Sequence, residues 1–243
     1  MGLMPVAANS APALQELPAG GWRLRGWGSA RVTAGVTDRQ TTAAALLRTL
    51  QPSAVGVEAE QVHGASLAVI GSVPPPHPIP GCDGLLTDVA GVALLVRTAD
   101  CLPVFFAAPA RGAVGLAHAG WRGLNAGLPA RMVAAFRHVY RVRAEELTVA
   151  IGPAIRDCCY DVGPEFAARF APFIRERDGR RTCDLIGAAT EQLRRCGVAS
   201  TRILDLQRCT SCEARTWFSL RQEGPETGRI TSIILLRDMR HET

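Results

Sequence analysis

The sequence contains no lysine, and every basic side chain other than histidine is arginine. Schiff-base, P-loop and kinase-type lysine chemistries are therefore excluded. No run of about eighteen uncharged apolar residues occurs, so a membrane-spanning helix is not expected. The start, MGLMPVAANSAPALQELPAGG, lacks a cationic stretch followed by a long apolar one, so no secretory leader is expected. A reducing, cytoplasmic setting with free thiols is the corresponding expectation for the eight cysteines. The formal charge of +5 comes with no nucleic-acid-binding motif, so it reads as a solvated surface.

What is present is a chain of 243 residues with 47% hydrophobic content, enough to bury a core. Residues 1–20 read as a loose tail, and 21–243 as one domain. DRQTTAAALLRTL (38–50) predicts a short helix with Asp38 as N-cap. A β-like stretch runs through Val55, Val57 and Val62, breaks at Gly64 and continues over Leu67 to Ile70. SVPPPHPIPGCDG reads as a surface loop. GVALLVRT (91–98), CLPVFFAAP and AVGLAH are apolar β-prone runs, and Pro103 implies an edge or bulge in the second. After the turn AGWRGLNAG, Met132, Phe136 and Val139 mark the core face of a helix. LTVAIGPAI, RILDL and RITSIILL predict further strands. PEFAARFAPFI and LIGAATEQLRRCGV predict helices, the second capped by Gly197. Strands and helices alternate without βαβ regularity, so the fold class is α+β (mixed α/β), a single domain of mixed β-sheets covered by helices.

Three short segments carry chemistry. His63 ends a strand in QVHG. Cys101 lies in RTADCLP, at a break between two strands. His118 lies in AHAGWRG, where a strand turns into a helix. Each puts a soft or imidazole ligand at a strand end, where loops build sites on a rigid frame. Two histidines and one thiolate supply three ligands to Zn²⁺ and leave a fourth position for water or substrate. The same residues also suit a Cys101 nucleophile paired with a histidine. After His118, Gly120 and Gly123 let backbone N–H groups approach a ligand closely. A following helix N-terminus and the forked Arg122 guanidinium favour an anion there.

The remaining residues of these types read as structural. His77 falls in a proline loop, His138 within a helix and His241 at the chain end. Cys158 and Cys159 are vicinal, a poor chelating pair for one tetrahedral site, and are read as packing. Cys209 and Cys212 form a lone CxxC without a second pair. None of these four cysteines is expected to be catalytic. Cys82, Cys183 and Cys196 follow no pattern.

In order, QVHG, DGLLTD, TADCLPV, HAGWRG, IGPAIRDCCYDVG, RCT, WFSLR and GR resemble the laccase-domain family. That family is also known as multicopper polyphenol oxidoreductase, purine nucleoside phosphorylase and peptidoglycan editing factor. The resemblance spans about Gln61 to Leu236. It implies that His63, Cys101 and His118 bind zinc at an active site. Five histidines are too few for the further histidine-rich cluster that oxygen reduction at copper would need, so copper is the less expected metal. It implies phosphorolysis of adenosine, inosine and S-methyl-5′-thioadenosine, and deamination of adenosine, with purine nucleoside and phosphate as partners. GWGSARVTAGVT resembles the family's GFSTRxGGVS, which makes Arg31 the counterpart of a substrate-site arginine. The NLGxHVGDD segment that follows in the family is missing.

Overall fold

The computed structural model describes residues 13–71, 78–177 and 179–237. Two six-stranded mixed sheets pack face to face. The first has the order β1-β2-β3-β14-β7-β4. Its strands are β1 (Ala13–Glu16), β2 (Trp22–Arg25), β3 (Val32–Val36), β4 (Val55–Glu58), β7 (Val92–Thr98) and β14 (Ile230–Leu236). The second has the order β13-β10-β8-β9-β6-β5. It comprises β5 (Leu67–Ile70), β6 (Gly84–Thr87), β8 (Leu102–Ala108), β9 (Ala113–Ala119), β10 (Thr148–Ile151) and β13 (Ile203–Asp205). A separate hairpin joins β11 (Ile174–Arg177) to β12 (Arg180–Cys183).

Strand periodicity sorts the core into layers. On β7, Val92, Leu94 and Val96 point between the sheets, while Ala93 and Leu95 face outward. On β8, Phe105 and Ala107 face inward, and Leu102, Val104 and Phe106 face outward. Helix α1 (Ala43–Leu50) covers the outside of the first sheet with Leu46 and Leu50. Helices α3 (Leu128–Tyr140) and α5 (Leu185–Arg195) cover the outside of the second. Gly115 makes the α3 contact possible, because a Cβ there would lie 2.8 Å from Met132 Cε and 2.9 Å from Phe136. Short helices α2 (Trp121–Asn125), α4 (Ala167–Phe170) and α6 (Leu220–Glu223) complete the fold. No helix among the described residues is long and apolar enough to cross a membrane.

Several sequence expectations change. Part of the expected tail is ordered: Ala13–Glu16 pairs with β2, while residues 1–12, like His77 and His241, lie outside the described residues. Thr42, not Asp38, caps α1. Asp38 instead accepts N–H groups from Gly21, Gln40 and Thr41, so its side chain serves a turn. β4 and β5 belong to different sheets and are not one interrupted strand. Pro103 sits in an interior strand, tolerated because β10 pairing begins only at Val104 and the missing N–H falls beyond that ladder. Val139 is 45% exposed, off the core face. PEFAARFAPFI breaks into a 3₁₀ turn, one α-turn and another 3₁₀ turn before β11. Pro172 falls at the start of the last turn, where it removes a helical donor.

Candidate metal centre and its clefts

The chain crosses from the first sheet to the second twice, and both crossings meet at one place. Residues 99–101 link β7 to β8 and carry Cys101. Residues 59–66 link β4 to β5 and carry His63. His118 comes from β9, opposite Pro103 on β8. The ligand atoms of His63, Cys101 and His118 all lie within 4.8 Å of one another. The two imidazoles are 4.7 Å apart between ring centroids at 84°. The three residues picked from separate segments thus form one cluster.

The crossings hold unusual backbone. Gln61 (φ 65°), His63 (φ 60°) and Asp100 (φ 87°) are three of five non-glycine residues with positive φ among the described residues. Such conformations persist only when the surroundings over-determine them. The Gln61 side chain provides one restraint, donating to the Arg97 carbonyl (2.6 Å) and accepting its N–H (2.7 Å). Asp100 Oδ1 accepts the Thr210 hydroxyl at 2.6 Å, and Oδ2 accepts the Arg221 N–H at 2.7 Å. Gly120 is sterically required, since a Cβ there would lie 2.9 Å from Cys101 Sγ.

Asp83, to which sequence reasoning gave no role, organises the cluster. It is fully buried. Its Oδ1 pairs with His118 Nδ1 at 2.8 Å and accepts the His63 N–H at 2.9 Å, and its Oδ2 accepts the Gly64 N–H at 2.7 Å. One carboxylate therefore fixes the His118 ring and the backbone that presents His63. The available signal was the DGLLTD motif. A carboxylate on Nδ1 leaves Nε2 as the atom His118 could offer to a metal, the arrangement that supports metal-bound histidines.

Electrostatics follow from this chain of groups. Burial alone would raise the Cys101 thiol, but hydrogen bonds from His118 and His63 overcome it and bring the pKa down to about 7. Burial would lower His118, yet its bonds to Asp83 and Cys101 raise it to about 9. Burial opposes the Asp83 charge as well, and the bonds from His118 and Gly64 still hold its carboxyl below the usual value. The site favours a thiolate beside a carboxylate-backed imidazole. With two imidazoles and a thiolate as donors, the residues fit Zn²⁺ with an open fourth position.

Two clefts share the cluster. One, of about 350 Å³, is lined by His63, Cys101, Trp121, Arg122, Tyr160 and Arg221 among others. Phe166 braces its aromatic wall, at 5.4 Å from Trp121 and 5.9 Å from Tyr160 between ring centroids. Arg122 lies over the Trp121 ring at 4.5 Å and Arg221 over the Tyr160 ring at 5.1 Å. The second cleft, of about 490 Å³, is more polar, with Glu60, Arg97 and Arg229 beside His63, Cys101 and His118. Arg221 and Arg229 belong to motifs visible in the sequence (WFSLR and GR), but only the fold shows that they face this centre.

The expected anion site changes in detail. Arg122 does reach the cleft, and Gly120 and Gly123 pack tightly behind it. The helix that follows is only α2, five residues long, with α3 starting separately at Leu128. A long helix macrodipole is thus not directed at the cluster. Arg31 is not brought to the site. Its carbonyl accepts the Arg237 N–H at the Leu236 end of β14, whereas Ile230 at the other end pairs with Thr98. Six residues of strand separate those ends, about 20 Å.

The description "multi-copper polyphenol oxidoreductase laccase" matches residues 19–237 of this chain. The chain is 39% identical over 195 residues to purine nucleoside phosphorylase YlmD of Geobacillus stearothermophilus, covering 74% of this chain and 71% of that protein. It is 35% identical over 185 residues to purine nucleoside phosphorylase YfiH of Escherichia coli, covering 73% and 72%. The crystal structure of YlmD from Geobacillus stearothermophilus superposes with a TM-score of 0.85 at 32% identity, over 94% of this chain and all of that one. With a match across nearly its whole length, the chain belongs to the multi-copper polyphenol oxidoreductase laccase family.

Proposed function

We propose that this protein is a zinc-dependent purine nucleoside phosphorylase acting on adenosine, inosine and S-methyl-5′-thioadenosine, with adenosine deaminase activity, in the cytoplasm. The observation that carries the reading is the His63–Cys101–His118 cluster, backed by Asp83 and shared by an aromatic cleft and a more polar one, each bearing arginines. The relatives named as purine nucleoside phosphorylases support the same class. When bound, Zn²⁺ would supply Lewis-acid activation of a water or substrate oxygen at its open position.

In this reading the Trp121 and Tyr160 rings hold the purine, because flat aromatic walls suit a heterocycle. Arg122 holds the phosphate by its fork. In phosphorolysis an oxygen of hydrogen phosphate bonds to ribose C1′, the C1′–N9 bond breaks, and its electron pair leaves with the base, which takes up the proton that the phosphate gives up. In deamination water adds at C6 and ammonia leaves. Glu60 is our assignment for the proton carrier: one of its oxygens, Oε2, accepts the Gly81 N–H at 2.6 Å, whereas both Asp100 oxygens are engaged internally. Glu60→Gln should then lose deamination and keep phosphorolysis. A copper oxidase is disfavoured by the donor set: His138, the third described histidine, is exposed on α3.

One observation favours a second reading. The lowered Cys101 thiol beside two imidazoles is also the arrangement of a Cys-His thiol amidase, here for a peptidoglycan precursor. Metal dependence separates the two. Purified protein of known zinc content should be incubated with each nucleoside, with and without phosphate, and the products resolved. Phosphate-dependent release of free base, abolished by chelation and restored by Zn²⁺, is expected. Absence of phosphate-dependent base release from all three nucleosides overturns the proposal.

A further inference from the structure

Four cysteines that read as packing in the sequence come together in space. Cys158 and Cys159 lie in the turn after β10, and Cys209 and Cys212 in the turn after β13. Cys158 Sγ is 3.6 Å from Cys209 Sγ and 3.5 Å from Cys212 Sγ, and Cys159 Sγ is 3.3 Å from Cys212 Sγ. All four sulfurs lie within 4.8 Å of one another. A tetrahedral Zn–S₄ centre with bonds of about 2.3 Å places its sulfurs about 3.8 Å apart. A disulfide would need about 2.05 Å, and none of these pairs approaches that.

Packing does not explain the arrangement. Cys158 and Cys212 are exposed, so neither fills a core. The objection to vicinal cysteines is met by the local fold: the N–H groups of Cys159 and Tyr160 both bond the Arg156 carbonyl at 2.9 Å. That tight turn sends both sulfurs to Cys212. In the facing turn the Glu213 N–H bonds the Cys209 carbonyl at 3.0 Å. Cys-x-x-Cys is a spacing from which zinc sites take two ligands.

We propose that Cys158, Cys159, Cys209 and Cys212 form a second, all-thiolate zinc site, separate from the cluster at His63, Cys101 and His118. Four protein ligands leave no open position, so this site is structural. It staples two turns that each support the clefts. Tyr160, next to Cys159, lines the aromatic wall, and Thr210, inside the CxxC, holds Asp100.

Metal analysis of the full chain, purified under reducing conditions, tests this. Wild type should carry two zinc ions per chain. Cys101→Ala should retain one, and Cys209→Ser/Cys212→Ser should also retain one, with the remaining ion at the other cluster. A second measurement leaves the four cysteines intact and so does not depend on their variants folding. Cys101→Ala reconstituted with Co²⁺ should show the tetrahedral d–d bands and strong sulfur-to-metal charge transfer of an all-thiolate centre. One zinc per chain in wild type and none in Cys101→Ala overturns the proposal, as does an intact mass that shows these cysteines paired as disulfides.

Discussion

The two sulfur-containing clusters are assembled in the same way, from turns far apart in sequence, and differ in what stands around them. At His63, Cys101 and His118 there are three donors, a buried carboxylate behind one imidazole, and clefts on two sides. At Cys158, Cys159, Cys209 and Cys212 there are four thiols and no imidazole, with two of the four sulfurs' residues exposed. A three-donor site with a second layer of support is built to leave a coordination position reactive. A four-donor site is built to hold chain segments together. In our two proposals donor count and backing, more than the presence of sulfur, separate the catalytic centre from the structural one.

The sharpest way to break that comparison is to remove Cys101. Cys101→Ala should lose the metal at this cluster and nearly all activity, by about a thousandfold or more if metal-assisted charge stabilisation is worth several kcal/mol. Steady-state kinetics on protein with verified folding checks this. A variant that keeps activity within tenfold would show that the chemistry lies elsewhere.

Asp83→Asn tests whether the carboxylate backing matters. Loss of such a partner is expected to lower metal affinity or activity about 10- to 100-fold. A pH measurement isolates the electrostatic part. In chelator-stripped protein, Cys101 alkylation should be slow below about 7, where the thiol is protonated, and fast above it. Without the Asp83 charge His118 is less readily cationic, so in the variant the midpoint should move up, towards the ordinary thiol value. An unshifted midpoint would mean that Asp83 only shapes the backbone through the His63 and Gly64 N–H groups.

A smaller effect is expected at Arg122. Arg122→Lys keeps the charge and loses the fork, so apparent phosphate affinity should fall about ten- to a hundredfold, the value of a charged hydrogen bond. Zinc content should not change, and deamination should suffer less than phosphorolysis. If phosphate dependence is normal in Arg122→Lys and impaired in Arg229→Lys, the anion belongs in the more polar cleft.

How much of this was legible in the sequence follows from the length scale of each cause. Strand periodicity is local, so β7, β8, β9 and β14 could be read from their apolar runs. The grouping of His63, Cys101 and His118 was readable because each sits in a short motif at a strand end. Asp83 was not assigned, because its role depends on β6 lying beside β9 in the second sheet. The four-cysteine cluster escaped for the same reason: Cys158/Cys159 and Cys209/Cys212 are each incomplete alone, and their partnership is created by β10 pairing in parallel with β13. Arg31 failed in the opposite direction. Motif likeness suggested a site role, and β14 carries it to the far end of the sheet. The Pro103 and Asp38 expectations failed on context, a ladder that begins one residue later and a turn that claims the carboxylate first.

The mildest perturbation addresses whether the two clusters are coupled, and Thr210 is the residue between them. It lies inside Cys209-x-x-Cys212, is fully buried, and donates its hydroxyl to Asp100 Oδ1 at 2.6 Å, next to Cys101. Asp100 is held at φ 87°, and its remaining restraint of this kind is the Arg221 N–H. Thr210→Val keeps the side-chain shape and removes the donor, leaving a buried carboxylate oxygen short of a partner. A stability loss of about 1–3 kcal/mol is expected, more for a charged group. Activity should fall only a few-fold, because no ligand is removed and Cys101 merely loses precision of placement. Zinc content should stay as in wild type. The informative quantity is the interaction in a double-mutant cycle with Cys209→Ser. If the thiolate turn acts on the active centre through Thr210, the two losses in activity should be less than additive once the hydroxyl is gone. Strict additivity would mean that the four-cysteine turn stabilises the fold without steering Asp100, and that the two clusters share a scaffold but no mechanism.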